Sequence, residues 1–258
     1  MAEVQRLSAH EIHQEVVANG RSELDRPIGA LAFSGLGAGF LMGLTGLGVA
    51  GTRAILTGEA GEFIGLLFYP LGFIAVVIGR AQLFTENTLF PVVLVLTERN
   101  HLLATLRLWA VVLGTNVVGS LAFAALVTKA QPLHADAVAG LVRLGTQATA
   151  PGTVHVFTSA ILGGWLVAMM AWLVSSAQRT IGQILVIWLM TFPVGLLHLA
   201  HCVASSGYIL AAALSGQVSP GGYIAWLATA TAGNIVGGVL IVSLLNHAQV
   251  QTGQGGDS

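Results

Sequence analysis

Along the chain, long runs of apolar residues alternate with short polar connections, and the lengths of those runs set the first expectations. Six apolar stretches follow a polar segment of 27 residues, at 28–52, 63–96, 108–128, 156–175, 181–214 and 223–245. The first, third, fourth and sixth contain no Asp, Glu, Lys or Arg and have the length of a single bilayer crossing. The second and fifth are 34 residues each; as unbroken helices they would run roughly 50 Å against a hydrocarbon core of about 30 Å. Each also carries polar residues and a proline, Pro91 or Pro193. The pattern predicts an all-α integral membrane protein with six transmembrane helices, the second and fifth broken into half-helices.

The two long stretches hold the same place, second of the first three and second of the last three. "GTNVVGS" at 114–120 matches "AGNIVGG" at 232–238 with Asn116 and Asn234 in register, and Trp109 and Trp226 precede them at nearly the same distance. Three crossings per half make the second half enter from the opposite face, so an inverted 3+3 repeat is expected, an arrangement that places a site between paired broken helices near the midplane.

In the N-terminal segment, 1–27, Ser8 and Glu11 have capping-box spacing, and Ile12, Val16 and Val17 share roughly one face. A short amphipathic helix is expected, either on the membrane surface or as a solvated tail. Cytoplasmic termini would put Arg6, Arg21, Arg26, Arg99, Arg107 and Arg179 inside, against Arg53, Lys129 and Arg143 outside, the orientation the positive-inside rule favours. The linker 129–155, with Pro132 and Pro151, would then face outward as irregular backbone. The membrane domain is expected over 28–246, with a short tail from 247 to 258.

Composition excludes most other classes. Hydrophobic residues make up 55% of the 258, charged residues 8%, and mean hydropathy is +0.81, where soluble domains carry about 25% charge. A formal charge of −1 leaves no basic footprint for nucleic acid. The single cysteine, Cys202, allows no intrachain disulfide. Gly35, Gly39 and Gly43 recur every fourth residue, a stripe that admits a neighbouring helix closely. "GLGAGF" within it has neither the preceding strand nor the following acid of a dinucleotide site.

Within the stretches the charged residues are Arg80 and Glu86, joined by the histidines His198 and His201. An ionisable group at that depth costs at least a few kcal/mol, so it faces a cavity or a partner. Arg80 and Glu86 stand six residues apart across a turn and could neutralise one another. His198 could be a packed, hydrogen-bonded histidine. His198, His201 and Cys202 lie within about a helical turn, but no further ligand cluster completes a metal site, so neither metal nor other cofactor is expected. With no nucleophile elbow, phosphate loop or carboxylate pair, an enzyme is not expected.

"LFTENT", Leu83 to Thr88, resembles the second-segment signature of the formate/nitrite transporter family, G-A-[DE]-L-F-T-x-N/T. "LAHCVASS" at 199–206 resembles its fifth-segment signature, E-H-S-x-A-N, with His201 on the central histidine. "RLWAVVLGTNVVGS" and "AWLATATAGNIVGG" fit its third and sixth spans, and the resemblance runs from about residue 10 to 247, most like the YfdC-like branch. It implies an aquaporin-like fold, a homopentamer in the inner membrane with one pore per protomer, and passage of small monovalent weak-acid anions such as formate, nitrite or hydrosulfide, often with a proton. It further implies that His201 and Thr85 face each other mid-pore, with Leu83 and Phe84 as candidate constriction residues; Asn87, His198 and Ser205, with this chain's own Arg80 and Glu86, are expected as pore-associated polar residues.

The sequence departs from the family pattern at Gln82 and Ala200, where acids are usual, at Arg80 for a glycine and at Ser205 for an asparagine, and 143–156 has no lysine. His201 is expected to donate or relay a proton to the anion, Thr85 to orient it and Arg80 to concentrate it. Two other functions remain open: an aquaporin-like channel for small neutral solutes, and a non-transporting scaffold or sensor.

Overall fold

The computed structural model describes residues 7–130 and 132–254, and among these there are helices and turns but no strand. Arg6 and residues 255–258, which entered the reading of the two tails, lie outside the described residues. The first helix, α1 (Ala9–Asp25), starts at the expected capping box: Ser8 Oγ accepts the Glu11 N–H while Glu11 accepts the Ser8 N–H at 2.7 Å. It buries His13, Val16, Gly20 and Leu24.

The expected breaks in the second and fifth apolar stretches are present. α2 (Ile28–Ile55) is continuous. The second stretch is broken: α3 (Gly58–Leu67) and α4 (Leu71–Ile78) lead into non-helical backbone, a 3-10 turn covers Glu86–Thr88, and α5 (Phe90–Glu98) resumes. Pro91 sits in the first turn of α5, where its missing N–H leaves no helical bond unmade. α6 (Leu102–Ala125) follows. The linker contradicts the expectation of irregular backbone, because α7 (Ala135–Thr149) fills most of it. Its small and apolar residues Ala137, Gly140, Leu141 and Gly145 repeat at helical spacing and are buried, and Gly145 lies against the Tyr208 backbone.

α8 (Thr153–Ser176) is again continuous. In the fifth stretch α9 (Thr180–Leu196) carries Pro193 inside it, the break follows at residues 197–205, and α10 (Ser206–Leu214) resumes. α11 (Pro220–Val236) passes through a π-helical segment, Gly237–Leu244, into α12 (Leu245–Gln254). The last helix thus continues beyond residue 245, tied by the Ser243 hydroxyl to the Thr88 carbonyl at 2.9 Å. Among the described residues, five helical spans are long and apolar enough to cross a bilayer, and Thr180–Leu196 is a shorter apolar helix. Phe33, Leu103 and Val154 are 80%, 82% and 78% exposed, a surface that requires lipid or another chain. The protein is a multi-pass membrane protein.

The two breaks are anchored by matching bonds. Asn116 on α6 accepts the Phe84 N–H at 3.0 Å and donates to the carbonyls of Gly35 (2.7 Å) and Gln82 (2.9 Å). Asn234 on α11 accepts the Cys202 N–H at 2.8 Å and donates to the carbonyls of Ala160 (2.7 Å) and Ala200 (3.0 Å). Ser34 Oγ accepts from Gln82 N–H (3.1 Å) as Ser159 Oγ does from Ala200 N–H (3.4 Å). Backbone that leaves the helix at membrane depth has to find such partners within the protein. A Cβ on Gly39 or Gly164 would run into the backbone of Asn116 or Asn234, so each asparagine-bearing helix docks where its neighbour has no side chain.

Candidate functional site

The breaks bring two polar side chains into one layer. Thr85 Oγ1 and His201 Nε2 are 2.9 Å apart, and both residues are 0% exposed. The Ala204 N–H donates to His201 Nδ1 at 3.0 Å. A nitrogen that accepts carries no proton, so the ring is the neutral Nε2–H tautomer and donates to Thr85. The tautomer follows from the hydrogen-bond pattern. Phe73 of α4 closes one side, its ring 5.2 Å from that of His201 and edge-on at 82°.

A cavity lies on each side of this layer, and Thr85 and His201 line neither. The near cavity, flanked by α1, has a volume of about 440 Å³ and is walled by Glu15 and Glu23 of α1 together with Arg80, Leu83, Glu86 and Asn87 of the first break. No ion pair joins Arg80 to Glu86 among the described residues. The mutual neutralisation left open by their spacing is not what the structure shows. Asn87 Nδ2 donates to Gln82 Oε1 at 2.9 Å, so the glutamine standing where an acid is usual holds the turn through a neutral bond.

The far cavity has a volume of about 370 Å³ and is walled by Arg53, Tyr69, His155, His198, Tyr208 and Trp226 among others. Arg53 is ion-paired with Glu62. His198, exposed and at φ 50°, lines this cavity. Ser205 lines it too and accepts the Tyr208 O–H at 2.7 Å.

The structure thus gathers Thr85 and His201 at the centre, Leu83, Arg80, Glu86 and Asn87 at the near cavity, and His198 and Ser205 at the far one. Phe84 differs. It is 1% exposed but packs against Trp109, ring centres 5.7 Å apart, and lines neither cavity. The reason is local: its amide is tied to Asn116 on the same helix as Trp109. Phe73 is the aromatic ring against His201, and nothing in "LGFIAVVI", apolar at every position, singles it out.

A family model described as formate/nitrite transporter matches residues 10–248. The chain is 34% identical over 248 residues to the inner membrane protein YfdC of Escherichia coli (strain K12), covering 94% of this chain and 79% of that one. It is 28% identical over 232 residues to a probable formate transporter of Methanothermobacter thermautotrophicus, covering 83% and 82%. Among solved structures, an FNT family ion channel superposes with a TM-score of 0.80 at 20% identity, covering 90% of this chain and 96% of that one. A pentameric formate channel with formate bound gives 0.68 at 20% identity, with coverage of 88% and 96%. The chain belongs to the formate/nitrite transporter family.

Proposed function

We propose that this protein moves small monovalent weak-acid anions, of the formate and nitrite class, between the two cavities through the Thr85–His201 layer. The observation that carries this reading is a buried hydroxyl–imidazole pair, uncharged, between two polar hollows. A bare anion entering a layer walled by Leu83 and Phe73 loses its hydration, which is the dominant cost; a proton removes the charge and most of that cost.

In this mechanism Thr85 orients the substrate and the Nε2–H of His201 supplies the proton to a substrate oxygen. As the Nε2–H bond breaks, Nδ1 takes up a proton from a hydronium ion that enters when the layer opens to a cavity, leaving neutral water, so the ring never becomes an anion. Nδ1 is engaged by the Ala204 amide, so the relay needs that amide to release it. Proton transfer and local movement at Val203–Ala204 then occur together. Arg80 serves as the positive charge at the near mouth.

The relative named an inner membrane protein and the pentameric neighbour support an inner-membrane homopentamer with lipid around its apolar faces. The two halves read as an inverted repeat of three crossings each, with residues 28–246 as the membrane domain. Segment 1–27 and the tail 247–258 are placed on the cytoplasmic face, where Arg21, Arg26, Arg99, Arg107 and Arg179 outnumber the opposite face's Arg53, Lys129 and Arg143.

Uptake of formate and nitrite into proteoliposomes under imposed pH gradients tests the reading. Wild type should show saturable, proton-driven flux, and His201→Phe should lose its pH dependence. Unchanged pH-dependent flux in the variant removes His201 from the mechanism. One observation favours a neutral solute instead: three carboxylates, Glu15, Glu23 and Glu86, face the near cavity against Arg80. Glycerol-driven swelling without anion uptake would select that alternative.

A further inference from the structure

Beyond Asn234 the last span winds as a π-helix over Gly237–Leu244, where each turn holds an extra residue. Its serine shows the consequence. Thr229 and Thr252, on the α-helical parts of the same span, donate their hydroxyls to the carbonyl four residues back, the usual α-helical pattern. Ser243 instead reaches the carbonyl five residues back, Gly238 O at 3.1 Å, and the same hydroxyl donates across to the Thr88 carbonyl of the first break at 2.9 Å. The close approach requires glycine at 238, because a Cβ there would run into the Thr88 hydroxyl. Thr88 Oγ1 in turn donates to the Thr85 carbonyl at 2.7 Å, and Thr85 Oγ1 meets His201 Nε2 at 2.9 Å. Ser243, Thr88, Thr85 and His201 are all fully buried, so bulk water is kept from these bonds.

We propose that Thr88 and Ser243 are positioning residues that aim the Thr85 hydroxyl at His201, with the π-helical turn supplying the reach. Its effect on flux rests on the transport reading above; what it adds is the device that sets the geometry of the central layer. Thr85 lies where the chain has left the helix, so no helical ladder fixes its peptide. Its carbonyl receives the Thr88 N–H only at 3.4 Å, a long bond, and the Thr88 hydroxyl makes the shorter one. The brace is also confined to one break. In the register that aligns Asn234 with Asn116, the position of Ser243 corresponds to Ala125, which has no hydroxyl. The last span therefore braces the break whose hydroxyl faces the imidazole, and α6 gives the second break no such bond.

The test uses Ser243→Ala in the full chain in proteoliposomes, alone and combined with Thr85→Val. Ser243→Ala should lower the maximal formate flux about fivefold, less than removal of the Thr85 hydroxyl itself, with KM within about twofold. Added to Thr85→Val it should lower flux no further, because no hydroxyl is left to aim. Losses that multiply would mean that Ser243 supports the fold alone, and the proposal falls. Thr88→Ser should keep most of the flux and Thr88→Ala should lose it as Ser243→Ala does, since the two differ only in the hydroxyl; equal flux in both removes Thr88 from the relay. Nitrogen NMR of labelled histidine reads the same geometry without transport. The His201 Nε2 resonance, identified by its absence in His201→Phe, should move toward the position of an unbonded N–H in Ser243→Ala. If wild type carries formate and that resonance does not move, the positioning is wrong and the transport reading stands. If wild type carries neither formate nor nitrite and the resonance moves, the positioning stands and the transport reading falls.

Discussion

The two breaks are built alike and equipped differently. Each turns through a left-handed non-glycine residue, Arg80 at φ 55° and His198 at φ 50°. Each is closed by the same backbone bond, Ala81 N–H to Val76 O in the first and Leu199 N–H to Val194 O in the second. Each is held by an asparagine making three bonds and by a serine on a neighbouring helix. Yet those same bonds make Gln82 the counterpart of Ala200, Leu83 of His201, Phe84 of Cys202 and Thr85 of Val203. Holding unwound backbone within a membrane has few solutions, and both halves use the same one. The side chains it presents are free to differ, and only that difference sets a hydroxyl against an imidazole.

The comparison breaks most visibly if the two asparagines are not equivalent. Asn116→Leu and Asn234→Leu each strand one buried amide and two buried carbonyls, at about 1–3 kcal/mol per orphaned group. Both variants should lose several kcal/mol, read as large and similar drops in Tm in detergent. A large drop in one and none in the other would show that one break holds without its anchor.

Gly39→Ala and Gly164→Ala test the same symmetry at the helix contacts. Each added methyl meets asparagine backbone rather than a movable side chain, so each should cost about 1–3 kcal/mol by forcing α2 from α6, or α8 from α11. Matching losses of Tm would sharpen the comparison, and a neutral substitution on either side would weaken it.

Function should divide where structure does not. Thr85→Val keeps shape while removing the acceptor of the His201 proton, and anion flux should fall about tenfold, the worth of one buried hydrogen bond. Val203→Thr, its counterpart, should leave flux within about twofold because no imidazole faces it. Proteoliposome uptake of formate measures both; equal losses would mean that the hydroxyl matters for packing alone.

Much of this was legible in the sequence because membranes constrain length. A 34-residue apolar stretch with a polar interior cannot be one crossing, and both such stretches are broken. Asn116 and Asn234 were visible as a register but not as anchors, since a pattern of residues does not say which carbonyls a side chain will meet. α7 was obscured by its flanking prolines and its abundance of alanine and glycine, although its buried positions recur at helical spacing. For Phe84, motif order says which residues lie in the break, not which way each points; its amide is committed to Asn116, and its ring packs against Trp109.

The smallest expected effect lies at the helices that precede each half. α1 comes before α2 as α7 comes before α8, but α1 contains a buried histidine and α7 contains none. His13, 4% exposed, faces His247 with Nε2 and Nδ1 3.3 Å apart, and Thr97 Oγ1 lies 3.5 Å away. Burial first, and then the neighbouring His247 and His10, hold the His13 pKa below its ordinary 6.5. The docked helix therefore resists a proton that the released helix accepts, so docking is fully stabilised above pH 6.5 and loses that stabilisation as pH falls through 6.5 toward the docked value. Amide exchange in α1 should accelerate a fewfold between pH 7.5 and 5.5, after correction for intrinsic rates, while exchange in α7 should not. His13→Leu should flatten the α1 response. Loosening of both helices to the same extent would assign the change to the bilayer or the whole fold, and the asymmetry between the two entering helices would carry no pH sensitivity.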